Sequence, residues 1–423
     1  MRRVLNDAQT AEVSARAAAD ERDARRTWPG ADAGWQPRST AYVPADRFDA
    51  RTAADWGRQA RGLVQRHAAD GRLLAERTGV HVADPDALHA RVVSTLGTAA
   101  VEDVRIDFED GYGVRDDAEE DRDATAAGQA VAAACAAGTL PRRYGLRPKS
   151  FADGHAGRSV RTLDLFLCAI LDHHDGALPA GLRITYPKVV STAHVAAFAR
   201  VLEDLESGAG LPPGVLSFEV QVETPMSIVD AAGTNALRTI VAAGDGRITA
   251  AHLGVFDYTA ALGLPPGQQR IDHPACDAAR DAMQTALAQT GVELSDGATN
   301  VTPRTDSAEE LARVWRSHVA GVRHGLRRGF VQGWDMHPAH LVSRVAAVVE
   351  HYSAGLDEIC ERVRAWRSST TGATGVTDEP ATVATLLRHL RRAVAAGAVD
   401  ASDVAARTGL ATAELQGASR STS

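Results

Sequence analysis

Val104-Arg105-Ile106-Asp107-Phe108-Glu109-Asp110 alternates strictly between apolar and charged residues. Side chains of an extended segment point to opposite faces in turn, so Val104, Ile106 and Phe108 share one face and Arg105, Asp107 and Glu109 the other. Phe218-Glu219-Val220-Gln221-Val222-Glu223-Thr224-Pro225 repeats the pattern, with Glu219, Gln221 and Glu223 on the polar face. A solvated loop needs no β-branched or aromatic residues before its charges, and a packed strand does not normally carry charges. Further runs end in polar groups at 144–150, 183–189, 250–258 and 329–338. A row of parallel strands whose C-terminal ends carry chemistry is the pattern of a closed (β/α)₈ barrel, with apolar faces toward the helices and charged faces toward the lumen.

Working outward, strand-like segments alternate with helical ones from residue 40 to about 355. Strands are expected at 41–44, 104–110, 144–149, 183–189, 216–223, 248–257, 300–302 and 329–333. Helices are expected near 50–78, 117–137, 158–173, 192–207, 226–242, 274–290, 307–324 and 339–354. Eight such units predict an α/β TIM barrel spanning 40–355. Residues 1–39 read as a polar helical arm. Residues 356–423 read as a C-terminal helical extension containing a linker, TGATGVTDEPAT (371–382), and a disordered tail, GASRSTS (417–423).

The chain has 423 residues and a formal net charge of −8, which argues against a nucleic-acid partner. No apolar leader follows the first residues, and no run spans a bilayer. Cys135, Cys168, Cys276 and Cys360 are scattered, so a disulfide framework is not expected and a cytoplasmic setting fits. Only two lysines, Lys149 and Lys188, stand among 46 basic residues, and each follows a proline after a strand-like run.

Glu223 and Asp257 end neighbouring runs, and two carboxylates from adjacent strands can grip one hard divalent cation, Mg²⁺ or Mn²⁺. Asp107, Glu109 and Asp110 can hydrogen-bond the metal's waters. The Arg147 guanidinium suits a substrate carboxylate or a developing enolate oxygen. Lys149 is expected on the same face as Arg147, and Arg105, Asp110 and Pro225 complete the expected substrate contacts. Lys188 either orients substrate or, with a depressed pKa, forms a Schiff base. In GWDMHP (333–338), Asp335 or His337 offers a general base or a mouth residue.

The ordered set AYVPADR (41–47), RIDFEDG (105–111), LRPK (146–149), YPKV (186–189), VETP (222–225), GVFDY (254–258) and GWDMHP (333–338) resembles the HpcH/HpaI aldolase and citrate lyase β-subunit (citryl-CoA lyase) family. GVFDY is closer to the malate synthase form. The resemblance implies a Mg²⁺-dependent carbon–carbon lyase or aldolase acting next to a 2-oxo acid, hydroxy acid or acyl-CoA thioester. It assigns Glu223 and Asp257 to the metal and Arg147 to the enolate. It also implies a homo-oligomer, trimer or hexamer. CoA use stays open, as do two alternatives: a Schiff-base aldolase using Lys188, and an inactive metabolite-binding barrel.

Overall fold

The computed structural model describes residues 4–30, 34–368 and 379–416. Helix α1 (Asp7–Thr27) precedes β1 (Ser39–Pro44), α2 (Thr52–His67), α3 (Gly71–Thr78), α4 (Pro85–Thr98) and β2 (Asp103–Asp107). There follow α5 (Asp117–Ala136), β3 (Arg143–Arg147), α6 (Ala156–His173), β4 (Ile184–Tyr186), α7 (Thr192–Ala209) and β5 (Phe218–Val222). The next elements are α8 (Pro225–Ile228), α9 (Leu237–Ala243), β6 (Ile248–Leu253), α10 (Val255–Ala261), α11 (Pro274–Leu287) and β7 (Glu293–Ser295). The chain continues through α12 (Ala308–Arg327), β8 (Gly333–Asp335), α13 (Pro338–Ser353), α14 (Leu356–Arg367), α15 (Pro380–Ala395), α16 (Ala401–Thr408) and α17 (Thr412–Gln416).

The eight strands among the described residues all run parallel, in two groups ordered β3-β2-β1-β8 and β4-β5-β6-β7. Two narrow seams join the groups into a ring. At one, Tyr144 bridges Leu182, with Arg183 N–H donating to Tyr144 C=O at 2.8 Å. At the other, Ser295 bridges Gln332, with Asp296 N–H donating to Gln332 C=O at 2.8 Å. The expected α/β barrel is therefore present, and it closes through single bridges rather than full ladders.

The alternation of β2 and β5 lands as read. Val104, Ile106, Phe108, Phe218, Val220 and Val222 pack into the hydrophobic layer under the helices. A second apolar layer joins α2, α3, α4, α12 and α13 to α14–α17, so the C-terminal helices share a core with the barrel's flank. Helix α1 buries none of its residues. The expected linker falls mostly, and the tail wholly, outside the described residues.

Several boundaries differ from the sequence expectation. The helix expected over 50–78 is interrupted at Asp70, whose carboxylate caps the N-terminus of α3, and α4 had not been anticipated. The helix expected over 226–242 is two short pieces, separated by a turn in which Asp230 accepts from the N–H groups of Ala232 and Thr234. Strand β7 lies at 293–295, not 300–302, and three residues are too few to register as a pattern. Strand β8 begins at Gly333 because Gly329, at φ 86°, ends the preceding helix and Phe330 N–H still bonds Gly325.

The Tyr144 seam tolerates no side chain at its neighbour. A Cβ on Gly145 would lie 1.7 Å from Arg183 C=O and 2.9 Å from Arg105 Nη1. Gly145→Ala should therefore destabilise the protein by about 3 kcal/mol or more. Gly157→Ala, where nothing lies within 4 Å, should be neutral or slightly stabilising. Urea denaturation of both variants checks this, and a Gly145→Ala midpoint equal to wild type would show that the seam yields.

Candidate active site

The lumen holds two charged layers. In the lower one, Arg105 is fully buried, its Nη2 2.8 Å from Glu219 and 3.0 Å from Asp103, while its Nη1 donates to Arg183 C=O at 2.9 Å. His252 Nε2 lies 2.8 Å from Glu219, although off the hydrogen-bond direction. Thr40 and Thr185 donate to Asp103 and Glu219. Arg105 and His252 hold the Glu219 carboxyl well below the usual carboxylate range despite its burial. This layer is sealed: Arg105 is shared by two carboxylates, and burial, with Glu219 nearby, raises the Asp103 pKa. Arg105 belongs to it, so the expectation of a substrate contact there is corrected: its guanidinium braces the β3–β4 seam from inside.

The upper layer opens at the C-terminal ends of the strands. Arg147 makes a two-pronged bond to Asp107, Nε to Oδ1 and Nη2 to Oδ2, each at 2.7 Å. Its Nη1 lies 3.2 Å from Glu109 Oε2 and 3.4 Å from Gln221 Oε1. Tyr42 and Trp334 stack at 4.5 Å, and the guanidinium sits over the Tyr42 ring. Asp107 also accepts from the N–H groups of Glu109 and Gly111. Both its oxygens are thus taken, and Asp107 holds the arginine rather than a ligand.

Lys188 lies beyond the end of β4, at φ 46° in the left-handed region that non-glycine residues seldom occupy. That turn aims its N–H at Glu223 Oε1, 2.7 Å away. Its ammonium contacts Glu109, Asp110 at 2.9 Å and Asp257 at 3.5 Å. Against the opposing effect of burial, Glu109, Glu223 and Asp110 raise its pKa. A protonated amine so held is no nucleophile, which counts against the Schiff-base alternative.

Glu223 is 2 % exposed. Burial, with Asp257 and Glu109 nearby, pushes its pKa up to about 8. Burial also raises Glu109, whereas Asp110 falls despite burial, through hydrogen bonds from Glu109 and Lys188. Asp257 arrives from the first turn of α10, not from the strand end expected, because β6 stops at Leu253. A Cβ on Gly254 would lie 2.3 Å from Glu223 Cβ and 2.4 Å from its Oε2, so glycine there lets the chain close over that carboxylate. Five carboxylates (Asp107, Glu109, Asp110, Glu223, Asp257) thus face two cations, Arg147 and Lys188. That surplus, with hard oxygen donors on Glu223 and Asp257, fits a divalent cation.

Other expected residues lie elsewhere. Lys149 does not share a face with Arg147. Strand β3 ends at Arg147, and the Lys149 ammonium turns outward to Glu120 on α5 at 2.7 Å and to Phe108 C=O at 2.8 Å. Asp335 is fully buried beneath Arg344, at 2.9 Å, and His318, at 3.2 Å, both of which hold its pKa far down. It is a buried counterion, not a base at the mouth. His337 caps α13, accepting from Ala339 N–H, and burial lowers its pKa to about 4. Pro225 starts the four-residue α8, where Thr224 is the cap, and offers no donor.

His318, Asp335 and His340 approach one another closely enough to suggest a second cation site. Their atoms are already engaged: Arg344 on Asp335, Ser343 on His318 Nδ1, and Met336 N–H and Val301 C=O on the two His340 nitrogens. A cation would have to displace a guanidinium, so this group does not fit a metal.

Gln221 was missed as a site residue. It is fully buried, its Oε1 faces Arg147, and its Nε2 has no protein partner. The signal was its position on the polar face of β5, between Glu219 and Glu223.

Among solved structures, the chain is similar to a citrate lyase from Burkholderia xenovorans LB400, with a TM-score of 0.54 and 20% identity over 78% of this chain and 94% of that one. A malate synthase from Haloferax volcanii gives a TM-score of 0.47 and 13% identity, over 91% and 98% of the two chains. An HpcH/HpaI aldolase from Desulfitobacterium hafniense DCB-2 gives 0.35 and 14%, over 67% and 90%. The first of these supports the shared fold. No curated protein sequence matches. Among the described residues no helix is long and apolar enough to cross a membrane. The profile of a domain of unknown function, DUF6986, matches residues 17–423, and the chain belongs to that family.

Proposed function

We propose that this protein is a divalent-metal-dependent carbon–carbon lyase or aldolase that cleaves or forms the bond next to a 2-oxo acid. The observation that carries the reading is the surplus of carboxylates around Glu223 and Asp257, facing an immobilised Arg147 at the open end of the barrel. Glu223 and Asp257 would hold Mg²⁺ or Mn²⁺, which supplies Lewis acidity toward the oxo and carboxylate oxygens of a substrate.

The chain's own residues do the rest. Arg147 is fixed by Asp107 and backed by Tyr42, and its Nη1 side, now shared by Glu109 and Gln221, would turn to the oxygen where an enolate gains charge. In the cleavage direction a 4-hydroxy-2-oxo acid loses its hydroxyl proton, and the C3–C4 bond pair passes into the enolate. C4 leaves as an aldehyde, and C3 takes up a proton to give the 2-oxo acid. Condensation is the reverse. Gln221 Nε2 offers a further donor on the floor of the site. Lys188 holds Glu109 and Asp110 and keeps Glu223 oriented through its N–H. The neighbouring citrate lyase structure is consistent with lyase chemistry.

Four outcomes are expected. EDTA should abolish 2-oxo acid release and Mg²⁺ should restore it; full activity in EDTA would refute the metal assignment. Arg147→Lys should lower kcat about 100-fold or more, because a point ammonium cannot keep both the Asp107 fork and an oxyanion contact. An unchanged kcat would remove Arg147 from the chemistry. Borohydride added during turnover should trap no adduct, and a reduced adduct on Lys188 by mass spectrometry would favour the imine route instead.

The fourth concerns stability. Unfolded, Glu223 releases its proton near the ordinary 4.5; folded, it keeps it to about 8. The favourable contribution is therefore complete below about 4.5 and disappears as pH rises through 8. In EDTA, the Tm of Glu223→Gln should gain on wild type between pH 5 and 8. Mg²⁺ at about 100 times its Kd should return about 2.7 kcal/mol to wild type. A Tm difference that does not vary with pH would contradict the burial of this ionisation.

A further inference from the structure

One of the four cysteines stands against a base. Cys135, in the last turn of α5, has its Sγ 3.4 Å from Nε2 of His174, the residue directly after α6. The two helices pack side by side. Their C-terminal ends lead into the N-terminal ends of β3 and β4, the face of the barrel opposite the candidate active site. Both side chains are partly exposed.

The second ring nitrogen fixes the roles. His174 Nδ1 lies 3.0 Å from Ala177 C=O. A carbonyl only accepts, so in the neutral ring Nδ1 carries the proton and Nε2 turns its lone pair to the thiol. The Cys135 S–H is therefore the donor. The turn after α6 holds the ring in place. Gly176 N–H donates to Leu171 C=O and Ala177 N–H to His174 C=O, each at 2.9 Å, with Asp175 at φ 52° and Gly176 at φ 71°. A thiol against a base that a third group orients is the arrangement that activates a nucleophile. His174 stands at the C-terminal end of α6, where the helix dipole favours the imidazolium formed when the proton moves. Cys135 lies at the like end of α5, where the dipole disfavours an anion, so its activation rests on His174.

The other three thiols are placed differently. Cys168 is exposed, but it donates to Asp164 Oδ1 at 3.5 Å, and burial, with that carboxylate, raises its pKa. Cys276 is buried, which pushes its pKa up to about 11, and burial also raises Cys360. Exposure alone would single out Cys168 for reaction, whereas the pairing with a base singles out Cys135.

We propose that Cys135 and His174 form a modification site at which small hydroperoxides oxidise the Cys135 thiol to a sulfenic acid. His174 takes the thiol proton, and the thiolate attacks one oxygen of hydrogen peroxide. The S–O bond forms as the O–O bond breaks, and the departing hydroxide takes the proton from His174 and leaves as water. Sulfur gives up two electrons and the peroxide gains them, so Cys–SH and H₂O₂ become Cys–SOH and H₂O. No residue of the enolate site takes part, and the proposal stands independently of that reading.

The full chain is treated at pH 7 with hydrogen peroxide and dimedone, which traps sulfenic acids, and separately with iodoacetamide. Labelling of each cysteine is followed by peptide mass spectrometry. Cys135 should react about fivefold or more faster than Cys168 with either reagent, because a larger thiolate fraction is only partly offset by lower intrinsic nucleophilicity. His174→Asn, whose amide can keep the bond to Ala177 while offering nothing to Sγ, should slow Cys135 to about the rate of Cys168 and leave Cys168 unchanged. Faster reaction of Cys168 in the wild type would overturn the proposal, as would an undiminished Cys135 rate in the variant. Where the variant unfolds, seen as labelling of the buried Cys276 and Cys360, the wild type between pH 6 and 9 decides. The Cys168 rate should climb throughout that range while the Cys135 rate levels off, and parallel profiles would overturn the pairing.

Discussion

The charge balance inside the barrel is the constraint on which the rest depends. A (β/α)₈ lumen filled with aliphatic side chains needs no charge matching; this one carries Asp103, Asp107, Glu219 and Glu223 on its inward faces. Two like charges 4 Å apart repel by about 4 kcal/mol at the effective dielectric of a protein site. Such a lumen stays closed only where each carboxylate is answered. Arg105 answers two of them in the lower layer and reaches the backbone of the β3–β4 seam, so the same guanidinium neutralises the core and holds the ring together. Its seam neighbour, Gly145, leaves room for that approach.

The upper layer carries the larger excess of carboxylates. Arg147 is consumed by Asp107, and Lys188 is shared among Glu109, Asp110 and Asp257. Glu223 therefore has no cationic side chain of its own; its contact is a backbone N–H from a residue in the left-handed region. Strained backbone, an elevated carboxyl pKa and an unpaired Gln221 amide occur together there, which is where a folded chain stores unspent interaction energy for a ligand. The contrast between the layers separates brace from site more clearly than any residue does by itself.

Much of this was legible in the sequence because strand parity is a rigid rule. The alternation in 104–110 and 218–223 placed Arg105, Asp107, Glu219 and Glu223 inside the barrel before any fold was known. Parity carried one residue past β5 to Glu223 and past β2 to Phe108, but it is not binding beyond a strand's end, and that is where the reading erred. Lys149 lies two residues beyond β3, where the chain has turned, so its ammonium swings out to Glu120. Asp257 was read as a strand end and is helical, although its contact with Lys188 brings it to the predicted neighbourhood. Asp335 is a true strand-end residue, yet Arg344 and His318, from helices whose packing no local pattern encodes, claim it.

The two lysines illustrate the same limit from the other side. Both follow a proline after a strand-like run, and their sequence contexts are nearly alike. One is a buried tie between β3 and α5, where Arg would need room for a planar fork that the Glu120 pocket already fills with Thr162 and Arg158. The other sits at the junction of three carboxylates from the turn after β2 and from α10, where a compact ammonium reaches all of them at once and a fork would favour one. In a chain that otherwise uses arginine for positive charge, lysine persists at two places where a point charge fits and a plane does not. Only one of those places borders the site, and the difference is set by which side of the strand the chain leaves after its proline.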